Sequence, residues 1–362
     1  MSDIVISGYY GLGNSGDEAL LKSIIDDLHK VNPHLTVTAL SGNARLTELQ
    51  YGIKTVGRFN LFAVLRELFS AKLLISGGGT LIQDSTSTKS LLYYLGIISI
   101  AKLAGLKVML YANGIGPIKD KNVKIVEKTL NKVDLITLRE NISLEEIKRC
   151  RIKKPEVLVT ADPAFSLVPE TKERAEEILK EFNVPCDKKL LAVSVRGWQK
   201  LEDNFEEKMA KAVDSLCEEG FFPIFMPMQL KTDMGISERI VQKMKHEACI
   251  IDRELPVSEL LSIIGKANVA CGMRLHMLIF ASVMQVPMAG IVYDKKIKGF
   301  MDYMGQKNYI PLEDFDADEF VKLVTHCGEE NDKLRHELKR VASDFREKAF
   351  MNAKLAVKLL EK

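Results

Sequence analysis

The chain has 362 residues, of which 46% are hydrophobic and 28% are charged, and this composition is typical of a folded globular protein. Its length exceeds that of a usual single domain, so two domains are expected. A formal net charge of +2 is too small for a general nucleic-acid binder, which carries a basic excess. Any site for an anion must therefore be local.

The cysteines and the apolar segments indicate the compartment. The six cysteines form no C-x-x-C pair and lie far apart along the chain, which in a chain of this length is typical of buried, reduced thiols. The longest apolar run, residues 91–101, is about half of a membrane span. Asp3 interrupts the apolar start that a signal peptide needs. The sequence predicts a cytoplasmic protein, and a peripheral contact with the inner face of the membrane is compatible with it.

A glycine-rich loop follows the first predicted strand (residues 4–6) and precedes a predicted helix (residues 17–30). Within this loop, Gly11, Gly13 and Gly16 match G-x-G-x-x-G, the fingerprint of dinucleotide binding. The acids at the helix start oppose a pyrophosphate there, and the next strand ends without the acid that would hold a ribose. NAD binding is therefore the least favoured interpretation of this loop.

Two other interpretations of the loop stay open. In the first, it is a tight glycine turn whose acids only cap the helix. In the second, which we favour, Asn14, Asp17 and Glu18 offer hydrogen bonds to the hydroxyl groups of a sugar.

Further polar and glycine-rich segments end predicted strands in the first half of the chain. Gly78 and Gly79 belong to a run of three glycines, which permits close approach of the backbone to a ligand. Asn113 begins the loop after the next strand. Arg139 stands just past another strand, where Glu140 is placed to orient it by ion pairing; the alternative for this arginine is an ordinary surface position.

One stretch late in the chain is the most informative. It contains a short strand, a turn at Gly272, a helix and a second strand. Arg274 and His276 lie at the helix start, where free N–H groups and the helix dipole already favour an anion. Lys295 and Lys296 follow the second strand at the same carboxyl edge of a parallel sheet, where α/β folds bind ligands. The stretch predicts a site for a small, multiply charged anion.

Repeated strand–loop–helix units on both sides of residue 170 predict an α/β fold of two doubly wound, Rossmann-like domains that face each other across a cleft, as in B-type glycosyltransferases. The domains are expected at residues 1–170 and 171–340, with residues 341–362 forming a C-terminal helix that packs back on the first domain. Arg196 ends a strand of the second half. Trp198 beside it either belongs to the core or stacks on a sugar face.

Short motifs along the whole chain resemble those of the polysaccharide pyruvyl transferase family, and within it the CsaB type that modifies secondary cell-wall polymers. They occur in the family's order at residues 8–19, 76–80, 113–117, 138–140, 162–164, 194–196, 273–276 and 293–296. The family usually has Asp-Pro-Lys where this chain has Asp294-Lys295-Lys296. Lys296 is therefore the better match for the family's lysine, with Lys295 as the alternative.

This resemblance implies a B-type glycosyltransferase-like fold, phosphoenolpyruvate as the donor, and an acceptor disaccharide on a lipid diphosphate. The product would be a 4,6-linked pyruvate ketal on a hexose, commonly N-acetylmannosamine, in cell-wall polysaccharide biosynthesis and the anchoring of surface layers. The first domain would be the acceptor side and the second the phosphoenolpyruvate side.

The resemblance and the charge pattern together assign roles to the candidate residues. His276 is expected to act as the general acid/base, with Arg139 and Lys296 as further catalytic groups. The donor is expected to contact Arg139, Gly272, Arg274, His276, Lys295 and Lys296. The acceptor is expected to contact Asn14, Asp17, Glu18, Gly78, Gly79, Asn113 and Arg196.

The remaining histidines show no ligand set with acids or cysteines, so no metal is expected. No bound cofactor is expected either, since the resemblance implies phosphoenolpyruvate as a co-substrate. The main alternative function is a nucleotide-sugar-dependent glycosyltransferase of the same fold. A carbohydrate-binding or sensor protein without turnover and an NAD-linked enzyme are further alternatives.

Overall fold

The computed structural model describes residues 2–85, 87–198, 201 and 204–361. The chain divides into two compact units. The first comprises Met1–Leu167 and Phe345–Lys362, and the second comprises Val168–Asp344.

The first unit is built on a seven-stranded, fully parallel sheet. Its strands are β1 (Ile4–Tyr10), β2 (Val37–Ser41), β3 (Lys54–Gly57), β4 (Leu73–Gly77), β5 (Lys107–Asn113), β6 (Leu135–Leu138) and β7 (Glu156–Val159). They lie in the order β3-β2-β1-β4-β5-β6-β7. The strand order reverses between β1 and β4, which is where open α/β sheets form a crevice for ligands.

Helices cover both faces of this sheet. They are α1 (Ser15–Val31), α2 (Ala44–Tyr51), α3 (Leu61–Ser70), α4 (Thr88–Leu103), α5 (Asp120–Leu130) and α6 (Ser143–Arg149), followed by a 3-10 turn at Pro163–Ser166. One apolar core joins α3, α4 and α5 to the sheet, and a second joins α1 to the opposite face. Strands buried on both faces read as continuous apolar runs, which is why the sequence predicted most of them.

The second unit repeats the architecture with a six-stranded parallel sheet. Its strands are β8 (Lys189–Ser194), β9 (Phe221–Phe225), β10 (Cys249–Ile250), β11 (Val269–Gly272), β12 (Met288–Val292) and β13 (Tyr309–Pro311), in the order β10-β9-β8-β11-β12-β13. Its helices are α7 (Lys172–Glu181), α8 (Phe205–Glu218), α9 (Leu230–Lys243), α10 (Val257–Lys266), α11 (Leu275–Val283), α12 (Lys295–Tyr303) and α13 (Ala317–Glu329). The last helix, α14 (Asn331–Leu360), begins in this unit and ends in the first.

The last helix returns to the first unit, as the sequence predicted. Ala353, Ala356 and Val357 of α14 join the core that contains α1. Asn352 is fully buried, and its side-chain oxygen accepts a hydrogen bond from the Thr160 hydroxyl at 2.9 Å. A buried polar pair of this kind fixes the position of the helix along the sheet.

The cysteines are free thiols, as predicted, but their burial is not uniform. Cys150, Cys249, Cys271 and Cys327 are buried, whereas Cys217 is half-buried and Cys186 is exposed. Among the residues that the structure describes, no helix is both long and apolar enough to span a bilayer. In the same part of the chain, no group of three or more histidine, cysteine or acidic side chains is arranged to hold a metal ion.

Candidate functional site

The loop between β1 and α1 is held by side chains of its own helix. Asn14 is the N-cap of α1, and its side-chain oxygen accepts a hydrogen bond from the Gly16 N–H at 3.1 Å. Glu18 accepts one from the Gly11 N–H at 2.7 Å and another from the Tyr51 hydroxyl at 3.1 Å. Asn14 rather than the two acids therefore caps the helix, and Glu18 fixes the loop from within the first turn. These contacts support the interpretation as a tight turn.

The glycine run after β4 lies beside the start of α1. Gly78 and Gly79 have φ values of 66° and 67°, in the left-handed region that favours glycine. A Cβ atom on Gly78 would lie 2.8 Å from the Leu20 side chain, whereas one on Gly79 would lie 3.3 Å from a carboxylate oxygen of Asp17. Asp17 and the Gly79 backbone thus meet at the carboxyl edge of the sheet. Both glycines are buried and Asp17 is half-buried, so the carboxylate is the group at this point that is suited to bind a hydroxyl group.

Asn113, at the end of β5, is hydrogen-bonded to the glycine run. Its side chain is fully buried, and its amide nitrogen donates to the carbonyl oxygens of Ser76, Gly78 and Tyr111, each at 3.3 Å. The sequence assigned Asn113 to acceptor contact. The structure gives it a different role, since it joins the end of β5 to the loop after β4.

Arg139 lies directly after β6 and is only 7% exposed. Its Nε donates to Glu140 at 2.8 Å, its Nη1 to Asp162 at 2.8 Å and its Nη2 to the Thr80 hydroxyl at 3.3 Å. The predicted orientation of Arg139 by Glu140 is confirmed. Beyond this predicted pair, Asp162 and Thr80 occupy the other two guanidinium nitrogens.

The charge state of Arg139 follows from these partners. Burial by itself would lower the pKa of the guanidinium, but the carboxylates of Glu140 and Asp162 outweigh that effect and raise the pKa above its usual value. With two acids around one arginine, the cluster offers no net positive charge to a donor anion. The ion pair of Arg139 with Asp162 joins the residues that follow β6 to those that follow β7.

Arg274 is the N-cap residue of α11 in the second unit. Its Nε donates to a carboxylate oxygen of Asp233 at 2.9 Å, its Nη2 donates to the Thr232 hydroxyl at 2.8 Å, and the same nitrogen contacts the second oxygen of Asp233. Asp233 lies on α9 and is fully buried, while the Arg274 side chain keeps 12% of its surface exposed. The predicted arginine at a helix start is present, with a counter-ion that the sequence analysis missed.

His276 and Gly272 flank Arg274. His276 lies in the first turn of α11, is half-buried, and has its ring 6.0 Å from the Phe280 ring. A Cβ atom on Gly272 would approach the Ser194 carbonyl oxygen to 2.5 Å. Gly272 therefore lets the ends of β11 and β8 lie side by side.

A second arginine lies at the same edge, two residues after β8. The Nη1 of Arg196 donates to the Tyr293 hydroxyl at 2.8 Å, and its guanidinium lies 5.1 Å from the Trp198 ring centre and 5.3 Å from that of Tyr293. The two aromatic rings are 4.7 Å apart and pack against the core of the second unit. Within the described residues the buried Nε of Arg196 has no hydrogen-bond partner. Aromatic faces hold this cation in place.

Lys295 and Lys296 begin α12, immediately beyond β12. Asp294 is the N-cap of this helix and accepts a hydrogen bond from the Lys296 N–H. Lys295 is exposed and Lys296 is half-buried. Lys298, the third lysine of the segment, pairs with Asp302 at 2.8 Å on the helix surface.

Strand pairing explains why these side chains are neighbours. β11 pairs with β8 on one side and β12 on the other, with Gly272 opposite both Ser194 and Gly290. The residues that follow the three strands therefore share one carboxyl edge. Arg196, Arg274, His276, Lys295 and Lys296 are brought to this edge of the second unit, whereas Asn14, Asp17, Glu18, Gly78, Gly79, Asn113 and Arg139 belong to the corresponding edge of the first.

Comparison with known proteins places this geometry in context. A family model described as polysaccharide pyruvyl transferase matches residues 14–295. The amylovoran biosynthesis protein AmsJ of Erwinia amylovora is 22% identical, and the match covers 83% of this chain and 86% of AmsJ.

Solved structures share the fold at low identity. A putative UDP-N-acetylglucosamine 2-epimerase from Listeria monocytogenes has a TM-score of 0.69 at 12% identity. The match covers 99% of this chain and 96% of the epimerase chain. A glycosyltransferase from Rickettsia africae has a TM-score of 0.65 at 12% identity, covering 100% and 99%. Anabaena HepE in complex with UDP and glucose has a TM-score of 0.66 at 10% identity, covering 100% of both chains. The predicted B-type glycosyltransferase-like fold is confirmed.

Proposed function

The chain belongs to the polysaccharide pyruvyl transferase family, and we propose that it transfers pyruvate from phosphoenolpyruvate to a hexose as a 4,6-linked ketal, with release of phosphate. The proposed acceptor is N-acetylmannosamine within a lipid-diphosphate-linked disaccharide used in cell-wall polysaccharide biosynthesis, as in the CsaB type. The similarity to AmsJ, an amylovoran biosynthesis protein, supports a polysaccharide acceptor.

The observation that carries the proposal is the cationic edge of the second unit. Phosphoenolpyruvate has a carboxylate and a phosphate on three carbons, so its site needs several cations close together. Arg274, Lys296 and Arg196, which the sequence assigned to the acceptor, follow three adjacent strands, and Asp233 offsets part of the charge of Arg274. The start of α11 adds backbone N–H groups and a helix dipole. Each charge-assisted hydrogen bond to such an anion contributes about 1.5–3 kcal/mol.

The reaction balances with groups of this kind. C3 of the enol takes a proton, which makes C2 electrophilic, and one sugar hydroxyl adds to C2. The C2–O bond to phosphate then breaks, and the second hydroxyl closes the ketal ring. The two hydroxyl groups lose two protons in total, which equal the proton gained at C3 and the one carried away by phosphate.

We assign His276 to the proton transfers, because an imidazole at a half-buried helix start is a suitable acid and base near neutral pH. Arg274, fixed by Asp233, is assigned to the anionic groups of the donor, and Lys296 to the charge on the departing phosphate. Lys295 remains the alternative to Lys296.

Arg139, predicted from the sequence to be catalytic, is assigned a structural role here. Because its guanidinium is buried and bonded to Glu140, Asp162 and Thr80, we assign it as a positioning residue that holds the strand ends of the first unit. The acceptor's hydroxyl groups are assigned to Asp17, which Gly78 and Gly79 allow to lie close to the loop after β4. Asn14, Glu18 and Asn113 keep these loops in shape.

The second candidate function is a nucleotide-sugar-dependent glycosyltransferase, which the shared fold favours. Phosphate release measured with purified protein separates the two. The proposal expects acceptor-dependent phosphate release from phosphoenolpyruvate and none from UDP- or GDP-sugars. Release of a nucleoside diphosphate from a nucleotide sugar, with phosphoenolpyruvate inert, would favour the second candidate.

A further inference from the structure

One face of the first unit exposes large apolar side chains next to one another. Phe59 precedes α3 and is 82% exposed, and Phe62 and Phe69 of α3 are 87% and 66% exposed. Phe62 and Phe69 are two helical turns apart and so lie on the same side of the helix, opposite the buried Val64 and Leu68. Single exposed apolar residues are common, but a contiguous group marks an interaction surface.

The neighbouring helix extends this surface. α4 packs beside α3 against the same core, and its outward side carries the exposed Leu92 and Leu103, eleven residues apart and therefore on one side of the helix. α4 is apolar on nearly every side, whereas a surface helix of a globular protein normally has a polar outer face. We call the outward side of α3 and α4, together with Phe59, the aromatic face.

The charges around the aromatic face have one sign. Arg66 of α3 and Lys89 of α4 are exposed among the apolar side chains. The sequence of α3 contains one acid, Glu67, but it is 4% exposed and paired with Lys54. From residue 85 to residue 119 the sequence contains no aspartate or glutamate at all.

The next helix continues the positive charge. α5 packs beside α4 and exposes Lys121, Lys124 and Lys128, against the exposed Asp120 and the half-buried Glu127. A surface that combines aromatic side chains with an excess of cations complements a bilayer whose headgroups are anionic.

Phe59 of the aromatic face is held in place by the buried Arg58 and by Tyr93. Arg58 is buried directly after β3 and lies 5.3 Å from the Phe59 ring centre and 4.6 Å from that of Tyr93. Its Nη2 donates to the Tyr94 hydroxyl at 3.3 Å, and the rings of Phe59 and Tyr93 are 6.0 Å apart. Phe59 is thus fixed in an exposed position, so little ordering is needed when it enters a lipid surface.

We propose that the aromatic face is a membrane-docking surface, on which the phenylalanines enter the headgroup region of a bilayer while Arg66, Lys89 and the α5 lysines contact anionic lipid. The helices lie along the surface rather than across it, because neither is long and apolar enough to span a bilayer. The inference concerns binding to lipid and does not depend on pyruvyl transfer. If the acceptor is lipid-linked, docking here also brings the first unit to its substrate.

Co-sedimentation of the full chain with vesicles tests the inference without any substrate. We expect binding to vesicles of phosphatidylcholine with phosphatidylglycerol, weaker binding to phosphatidylcholine alone, and weaker binding at high salt. Phe62→Ser with Phe69→Ser, and separately Arg66→Glu with Lys89→Glu, should each lower binding at least tenfold. Because these side chains are exposed, circular dichroism and thermal unfolding should match the parent protein.

Matched controls separate this face from exposed residues in general. Leu46→Ser with Leu49→Ser changes two exposed leucines on α2, and Lys322→Glu with Lys339→Glu reverses two exposed lysines of the second unit. Neither control should change vesicle binding. Equal losses in the controls and the test variants, or no preference for phosphatidylglycerol in the parent protein, would overturn the proposal.

A second copy of the chain could also cover the aromatic face, and light scattering coupled to size exclusion tests this by measuring the oligomeric state. A dimer that Phe62→Ser with Phe69→Ser converts to monomer, together with failure to bind vesicles, would assign the face to self-association instead. Phe62→Trp in a Trp198→Phe background gives a direct readout: the emission of the new tryptophan should shift to shorter wavelength on addition of anionic vesicles, and an unchanged spectrum would contradict insertion.

Discussion

Arg274, at the start of α11, is bonded through its guanidinium to the fully buried carboxylate of Asp233 on α9. The arginine is thereby held at the carboxyl edge of the second sheet in one orientation. A helix start that already favours anions would repel an unanchored cation, so the buried acid stabilises Arg274 there.

This pair leads to the first prediction. Arg274→Lys removes the planar, two-nitrogen contact with Asp233 while keeping the positive charge. We expect kcat/KM for phosphoenolpyruvate to fall roughly 10- to 100-fold, which corresponds to the loss of one charge-assisted hydrogen bond. Asp233→Asn should give a similar loss by releasing the arginine. Steady-state phosphate release measures both, and unchanged kinetics in Arg274→Lys would remove Arg274 from donor binding.

The second prediction concerns Arg139, whose role is structural in our account. Arg139→Met leaves the buried Asp162 and the half-buried Glu140 without their counter-ion, and breaking a buried pair such as Arg139–Asp162 costs about 3–5 kcal/mol. We expect the midpoint of urea unfolding to fall accordingly. A variant as stable as the parent protein but without turnover would return Arg139 to the direct catalytic role predicted from the sequence.

The third prediction concerns His276. Replacement of His276 by alanine removes the proposed proton donor and acceptor, and general acid–base catalysis is typically worth about 10²- to 10⁴-fold in rate. We expect turnover to fall by at least that factor, with circular dichroism unchanged. Substantial residual activity in His276→Ala would assign the proton transfers to another group.

The fourth prediction separates the two lysines at the start of α12. Because Lys296 is half-buried and Lys295 is exposed, Lys296→Ala should lower kcat more than Lys295→Ala does. Exposed charges are screened by solvent, so Lys295→Ala should change kcat by less than about threefold. Parallel measurement of both variants decides the assignment, and a larger loss at Lys295 would reverse it.

Much of the fold could be predicted from the sequence because its strands are buried on both faces and end in glycine-rich or charged segments. The elements of residues 44–70 could not be predicted from the sequence. β3 is short, and α3 exposes phenylalanines where a surface helix normally exposes polar residues. The exposed phenylalanines that make α3 hard to predict are the same residues that support the membrane-docking surface.

The candidate site was predicted in part, for a physical reason. Arg274 and His276 could be recognised because cations at a helix start are uncommon. Their environment could not, because Asp233 lies 41 residues away along the chain and looks like any other acid of an amphipathic helix. The same holds for Arg139 and Asp162, which only the pairing of β6 with β7 brings together.

Mass spectrometry of a synthetic lipid-diphosphate disaccharide, after incubation with the protein and phosphoenolpyruvate, tests the central claim most directly. The account predicts that the acceptor gains the mass of pyruvic acid less one water, and that the gain disappears in His276→Ala. An acceptor that stays unmodified with phosphoenolpyruvate but gains a hexose from a nucleotide sugar would contradict it.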